Sequence, residues 1–100
     1  MAFSSIARQT HGNVDDTTPE KAFASMGGVS RRAVILKNHS ADDLWVTFSN
    51  DFDNAPTIDG THNFARVLSG AAISVEAGHS VAVWLLASDN SCDFSAVEVS

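Results

Sequence analysis

The chain has 100 residues, with 12 acidic and 6 basic side chains for a formal charge of −6, and 44% of its residues are apolar. That length bounds it to one domain, and the apolar share to a folded chain rather than a disordered one. The acidic balance argues against a nucleic acid or an anionic membrane as partner, because both are bound through cations that this chain is short of.

Cys92 is the only cysteine, so no internal disulfide supports the fold. No run approaches the ~20 apolar residues that cross a bilayer. The opening "MAFSSIARQTHGN" lacks the apolar centre of a secretory signal, so the sequence predicts a protein made in a cytoplasm with no export signal of its own.

Residues 1–29 are rich in Ser, Thr, Asn, Asp and Gly, with isolated apolar positions and no sustained period of two. They predict an extended N-terminal arm. Within it, "DDTTPEKAFASMGG" carries the signals of a short helix: Thr18 as N-cap, Pro19 at the first helical position, Glu20 near the positive dipole end and Gly27 as terminator. Ala22, Phe23 and Met26 would share one face, but about two turns of helix do not persist alone in water and need a surface to lie on. Extended, residues 1–28 reach ~90 Å at ~3.3 Å each, far enough to run onto neighbouring molecules. Phe3, Ile6, Phe23 and Met26 are spaced along the arm as candidate partner-binding anchors.

After the Gly27-Gly28 hinge the composition changes, and residues 30–100 read as a separate β-domain. Arg32–Lys37 is a β-branched run. Leu44–Ser49 alternates, with Leu44, Val46 and Phe48 on one side and Trp45, Thr47 and Ser49 on the other. The turn formers of "NHSADD" between them predict a hairpin. A long loop follows from about Asn50 to Asn63, then a short strand at Phe64–Leu68 and a turn at Ser69-Gly70. "AAISVEAGHSVAVWLLAS" reads as strand, turn, strand, the second apolar on both faces and therefore central or covered on both sides. Asp93–Val99 closes the chain. The spacing predicts an all-β fold, a small antiparallel β-sandwich or barrel of roughly five to six strands.

Candidate chemistry is sparse. Asp51, Asp53 and Asp59 in "DFDNAPTIDG" invite a Ca²⁺ reading, yet Ala55 and Pro56 stand where a regular loop needs a ligand and a glycine. His39, His62 and His79 fall in loops at spacings that do not suit zinc. Cys92 lies beside Asp93, whose charge raises a thiol's pKa and lowers its reactivity. No nucleophile elbow or phosphate loop is present. The sequence therefore predicts no enzyme, no catalytic residue, no metal site and no cofactor. Trp45 and Trp84 sit opposite the rows expected to form the core. They are candidate interface aromatics, either exposed to a partner or covered by a loop or the arm.

The stretches "VILKNHSADDLWVTFSNDF", "ISVEAGHSVAVWLL" and "FSAVEVS" together resemble the small β-domains of tailed-bacteriophage virions. The matching positions are Asn38 and Ser40, Trp45 to Phe48, and Val75, Gly78, Ser80 and Val81, with Ala77 where proline is usual. The resemblance covers about residues 31–99 and leaves the arm outside. It implies a head decoration (cement) protein made in the host cytoplasm and placed on the outer capsid surface. Its partners would be the major capsid protein and copies of itself, with no nucleic acid and no membrane; trimers are the simplest arrangement for closing a clamp symmetrically, and dimers the alternative. The arm would then cross a capsomer boundary. The alternatives the resemblance leaves are a fibre or spike module that binds a receptor or carbohydrate, and a head–tail connector subunit.

Overall fold

The computed structural model describes residues 6–23, 31–78 and 80–99. The strands are β1 (Ile6–Asp15), β2 (Glu20–Lys21), β3 (Ala33–Asn38), β4 (Leu44–Ser49), β5 (Ala65–Val67), β6 (Ala72–Glu76), β7 (Ala82–Ala87) and β8 (Ser91–Val99). They form two four-stranded sheets, in the orders β1-β8-β3-β6 and β2-β7-β4-β5. Each strand of the first half pairs antiparallel with its mirror image in the second: β1 with β8, β2 with β7, β3 with β6 and β4 with β5. The chain is thus one long antiparallel ribbon rolled into two sheets, which is jelly-roll strand order. The expected all-β antiparallel sandwich forms, with eight strands in place of five to six and no helix among the described residues.

Between the sheets, the inward rows Val34 and Leu36 of β3, Leu44 and Val46 of β4, Val67 of β5 and Leu85 of β7 are fully buried. The hairpin expected from Arg32 to Ser49 is not one: β3 and β4 lie in different sheets. Both strands carry an apolar row, and facing those rows across the core buries both at once. Residues 39–43 arch over the ~10 Å between sheets. Asn38 fixes the arch: its Nδ2 donates to the carbonyls of Asp42 at 2.7 Å and Val67 at 3.0 Å, and its Oδ1 accepts from the Ser40 amide at 2.9 Å.

The segment expected to be an extended arm is strand-paired within its own subunit from Ile6 onward. β1 runs beside β8 from Ile6 opposite Val99 to Asp15 opposite Ser91. The domain boundary expected at residue 29 falls outside the described residues, and the segments on either side of it enter the same sheets. The expected helix after Thr18 is also replaced. Asp15 Oδ1 accepts from the amides of Thr17 at 2.9 Å and Thr18 at 2.7 Å, making a tight Asx turn toward the second sheet. Glu20 and Lys21 then pair with Leu85 and Trp84, and Ala22 and Phe23 are buried. Strand pairing plus core burial outweighs a two-turn helix that is marginal by itself. Residues 24–27 of that helix lie outside the described residues.

Two features hold β1. Gly12 sits over the Phe94 ring, where an added Cβ would come within 3.2 Å of a ring carbon. Arg8 grips Glu98 bidentately, Nε to Oε1 at 2.6 Å and Nη2 to Oε2 at 2.9 Å, with its guanidinium 4.7 Å above the Phe23 ring. Glu98 is 0% exposed and also accepts from Arg31 Nη1 at 3.2 Å. Arg31 in turn donates to the carbonyls of Ala77, Gly78 and Val81. A buried carboxylate is tolerable only when so paired.

The hydrogen bonds from Arg8, and then the charges of both arginines, hold Glu98 below its ordinary value of 4.5. The unfolded state therefore takes up protons more readily, and this contribution to stability is lost as pH falls from about 4.5 toward the lower folded value. Glu98→Gln should cost about 3 kcal/mol or more in urea titrations at pH 7, because it leaves two guanidiniums without their carboxylate. The same variant should also show a shallower loss of stability on acidification than the parent chain.

Candidate partner-binding surfaces

Strand alternation places Ala82, Trp84 and Leu86 of β7 and Trp45 of β4 on the face of their sheet turned away from the core. Four neighbouring apolar side chains facing water would be costly. Residues 50–63 fold back over them: Ile58 is buried, and Phe52 packs alongside. Trp84 Nε1 donates to the Asp51 carbonyl at 3.1 Å. Lys21 Nζ donates to the Phe52 carbonyl at 2.5 Å and lies 5.7 Å from the centroids of both the Phe52 and Trp84 rings. This is a second small core, and it answers the question the tryptophans raised. Trp84 is only 5% exposed and Trp45 half-buried beneath the chain's own loop, so neither presents an open stacking platform.

The acidic residues of that loop are its turn-formers. Asp51 Oδ1 accepts from the amides of Asp53 at 2.8 Å and Asn54 at 3.0 Å, and Asp59 Oδ1 from those of Thr61 at 2.8 Å and His62 at 2.7 Å. Hydrogen bonds from Asn54 and from these amides hold Asp51 below the usual carboxylate range. The Thr61 and His62 amides do the same more strongly for Asp59. Among the described residues no group of three or more His, Cys, Asp or Glu is placed to hold a metal ion. His62 Nδ1 contacts Asp59 at 2.9 Å, and His39 Nε2 bonds Ser95 Oγ at 2.7 Å. His79 lies outside the described residues. Cys92 is buried, donates to the carbonyls of Asp42 and Asp43, and has its thiol pKa pushed up, by burial first and then by Asp42, Asp43 and Asp93.

Of the four expected arm anchors, Phe3 and Met26 lie outside the described residues. Ile6 opens β1 opposite Val99. Phe23 is buried in the main core under Arg8, so it is not available as a peg for a neighbour.

Among the described residues three large apolar side chains are exposed, Ile35 on β3 and, more fully, Phe64 and Leu68. Phe64 is 65% exposed and Leu68 57%, one at each end of the short edge strand β5, with exposed Arg66 between them. β5 turns Ala65 and Val67 inward against Val46 and Leu44 and sets Arg66 opposite Trp45 on the other face, while Phe64 and Leu68 flank the strand. One face of Phe64 rests against Phe48, with ring centroids 4.8 Å apart at an interplanar angle of 59°. The run "FARVL" holds both exposed hydrophobes in plain view, but reading it only as a short strand leaves them unassigned.

Comparison with family models, with curated proteins and with solved structures finds no match to this chain.

Because the loop covers β7 mainly through Ile58 and Phe52, Ile58→Ala should destabilise the protein by about 2–4 kcal/mol. The emission of Trp45 and Trp84 should shift to the red as water reaches the indoles, read by urea titration followed by fluorescence.

Proposed function

We propose that this chain is a non-enzymatic structural subunit that decorates the outer surface of a virion capsid, binding the major capsid protein and copies of itself and making neighbouring capsomers harder to separate. The observation that carries the reading is the Phe64–Arg66–Leu68 row. The molecule covers β7 with its own loop, yet leaves two large apolar side chains open at the two ends of one edge strand, with a cation between them in sequence. Contiguous exposed apolar surface marks an interaction site, and aromatic residues and Arg are enriched at interfaces. On a chain of formal charge −6, a cation framed by two hydrophobes fits a protein surface with an apolar recess and a nearby acid.

Two further features support the setting. The stretch from residue 31 to 99 resembles phage head decoration domains, as described above. Jelly-roll strand order is also an architecture that viral shell proteins use, an argument of fold-level analogy alone. The attachment differs from a free clamping arm. Residues 6–23 belong to the sandwich, and the contact to the shell is made by the β5 edge. A strongly acidic subunit suits the outer surface better than a DNA-filled interior, where like charges repel.

Sedimentation of the labelled protein with purified shells that lack it tests the proposal directly. The parent chain should co-sediment at a regular stoichiometry. Phe64→Ser with Leu68→Ser should weaken binding at least tenfold while leaving urea stability within about 0.5 kcal/mol, since both side chains already face water. Retention of full occupancy by the double variant would remove the row as the anchor, and absence of binding by the parent chain would remove the capsid reading itself.

A further inference from the structure

Four strands stand at the edges of the two sheets, and three of them are short. β2 has two residues and follows Pro19, β5 has three, and β6 has five and ends in Glu76. Shortness, proline and charge are the usual protections of a sheet edge against pairing with another chain. β1 is neither short nor broken by proline, and its charges, Arg8 and Asp15, stand only toward its two ends. It is ten residues long, contains no Lys and no Pro, and pairs only with β8 among the described residues. Its one cation, Arg8, is turned to Glu98. The residues facing outward along it, Gln9, His11 and Asn13, are polar and exposed. Its regular register runs from Arg8 to Asp15, with an irregularity just before Arg8.

The charges around this edge are arranged end to end. Beside the start of β1 lie Arg8, Arg31 and Arg32 with Glu98 and Glu76, because Arg32 and Ala33 meet Val99 at that end of the sheet. Beside its finish lie Asp15, Asp42, Asp89 and Asp93, gathered by the Asn90–Asp42 and Asp93–Ser40 hydrogen bonds. The first end carries three arginines against two glutamates and the second four carboxylates, so an antiparallel partner of the same sequence would set the acidic end of one copy against the end of the other that holds the arginines. With the twofold axis at His11, the two His11 residues face each other, Gln9 faces Asn13, Thr10 faces Gly12 and Arg8 faces Val14, so no arginine opposes an arginine and no carboxylate a carboxylate.

We propose that the β1 edge is a self-association surface: two copies pair their β1 strands antiparallel about a twofold axis near His11, joining two four-stranded sheets into one continuous sheet. The inference goes beyond the capsid reading and does not depend on it. It commits the chain to dimers rather than trimers as the first step of self-assembly, and leaves the β5 edge, on the far side of the sandwich, free for another protein.

Sedimentation equilibrium of the full chain over a wide concentration range, at low ionic strength, tests it. The weight-average mass should double with rising concentration, and added salt should shift the transition to higher concentration as the end-to-end attraction is screened. Gln9→Lys with Asn13→Lys places cations opposite each other across the axis and should weaken dimerisation at least tenfold. Both positions are exposed, and a lysine at 13 keeps a charged donor beside Asp93, whose Oδ1 accepts from Asn13 Nδ2 at 2.9 Å, so the far-UV spectrum and urea midpoint should hold, showing that the fold survives. Phe64→Ser should leave the dimer unchanged. A parent chain that stays monomeric at every concentration, a trimer, a dimer indifferent to the two lysines, or one abolished by Phe64→Ser would each overturn the proposal.

Discussion

Strand β7 cannot show either face to water, and much of the architecture is a response to that fact. All six residues from Ala82 to Ala87 are buried. Val83, Leu85 and Ala87 face the main core, while Ala82, Trp84 and Leu86 need a second cover. At ~25 cal/mol per Å² and ~150–250 Å² for a large aromatic side chain, shielding Trp84 alone is favourable by roughly 4–6 kcal/mol. The loop of residues 50–63 supplies that shield, and its Asp-centred turns hold it in the compact path that brings Ile58 and Phe52 over the indole. Among the described residues the two sheets are therefore unequal: the β7 and β4 strands of one are covered on both faces, the other sheet on one.

Much of this was legible in the sequence. The strands β3, β4, β6, β7 and β8 stand within about two residues of where alternation put them, and the double-sided apolarity of β7 correctly demanded cover. Pairing was not legible. β3 and β4 look like a hairpin because a polar pentapeptide joins them, yet the same length serves an arch between sheets. The choice is made by the need to face two apolar rows across a core, which no local signal records.

β1 was hidden for a more specific reason. Its inward row is Arg8, Thr10, Gly12 and Val14, so a search for alternating hydrophobes finds only the last. Arg8, half-buried, turns inward because Glu98, from the other end of the sequence, is there to meet it, and Gly12 fits its place because Phe94 fills the space beside it. β2 was hidden by Thr18-Pro19-Glu20, a helix start in isolation, which the Asp15 turn overrides. For the candidate surfaces the outcome divides similarly. The outward aim of the tryptophans was readable from parity, but their cover was not, since Phe52 and Ile58 are scattered among turn formers. Phe64 and Leu68 on either side of Arg66 were readable, and their exposure needed only the knowledge that β5 is a short strand at an edge.

The nested pairing has a consequence for how the protein comes into being. Strands that meet first in synthesis are the inner pair, β4 with β5; the outermost pair, β1 with β8, joins the earliest described segment of the nascent chain to the latest. At ~5–20 residues per second, β1 waits on the order of several seconds for its partner to leave the ribosome. A strongly hydrophobic segment left unpaired for so long would invite aggregation. A strand of Arg, Gln, Thr, His, Gly and Asn can wait in water, and the late arrival of Glu98 then gives Arg8 its counter-charge and draws the strand into place.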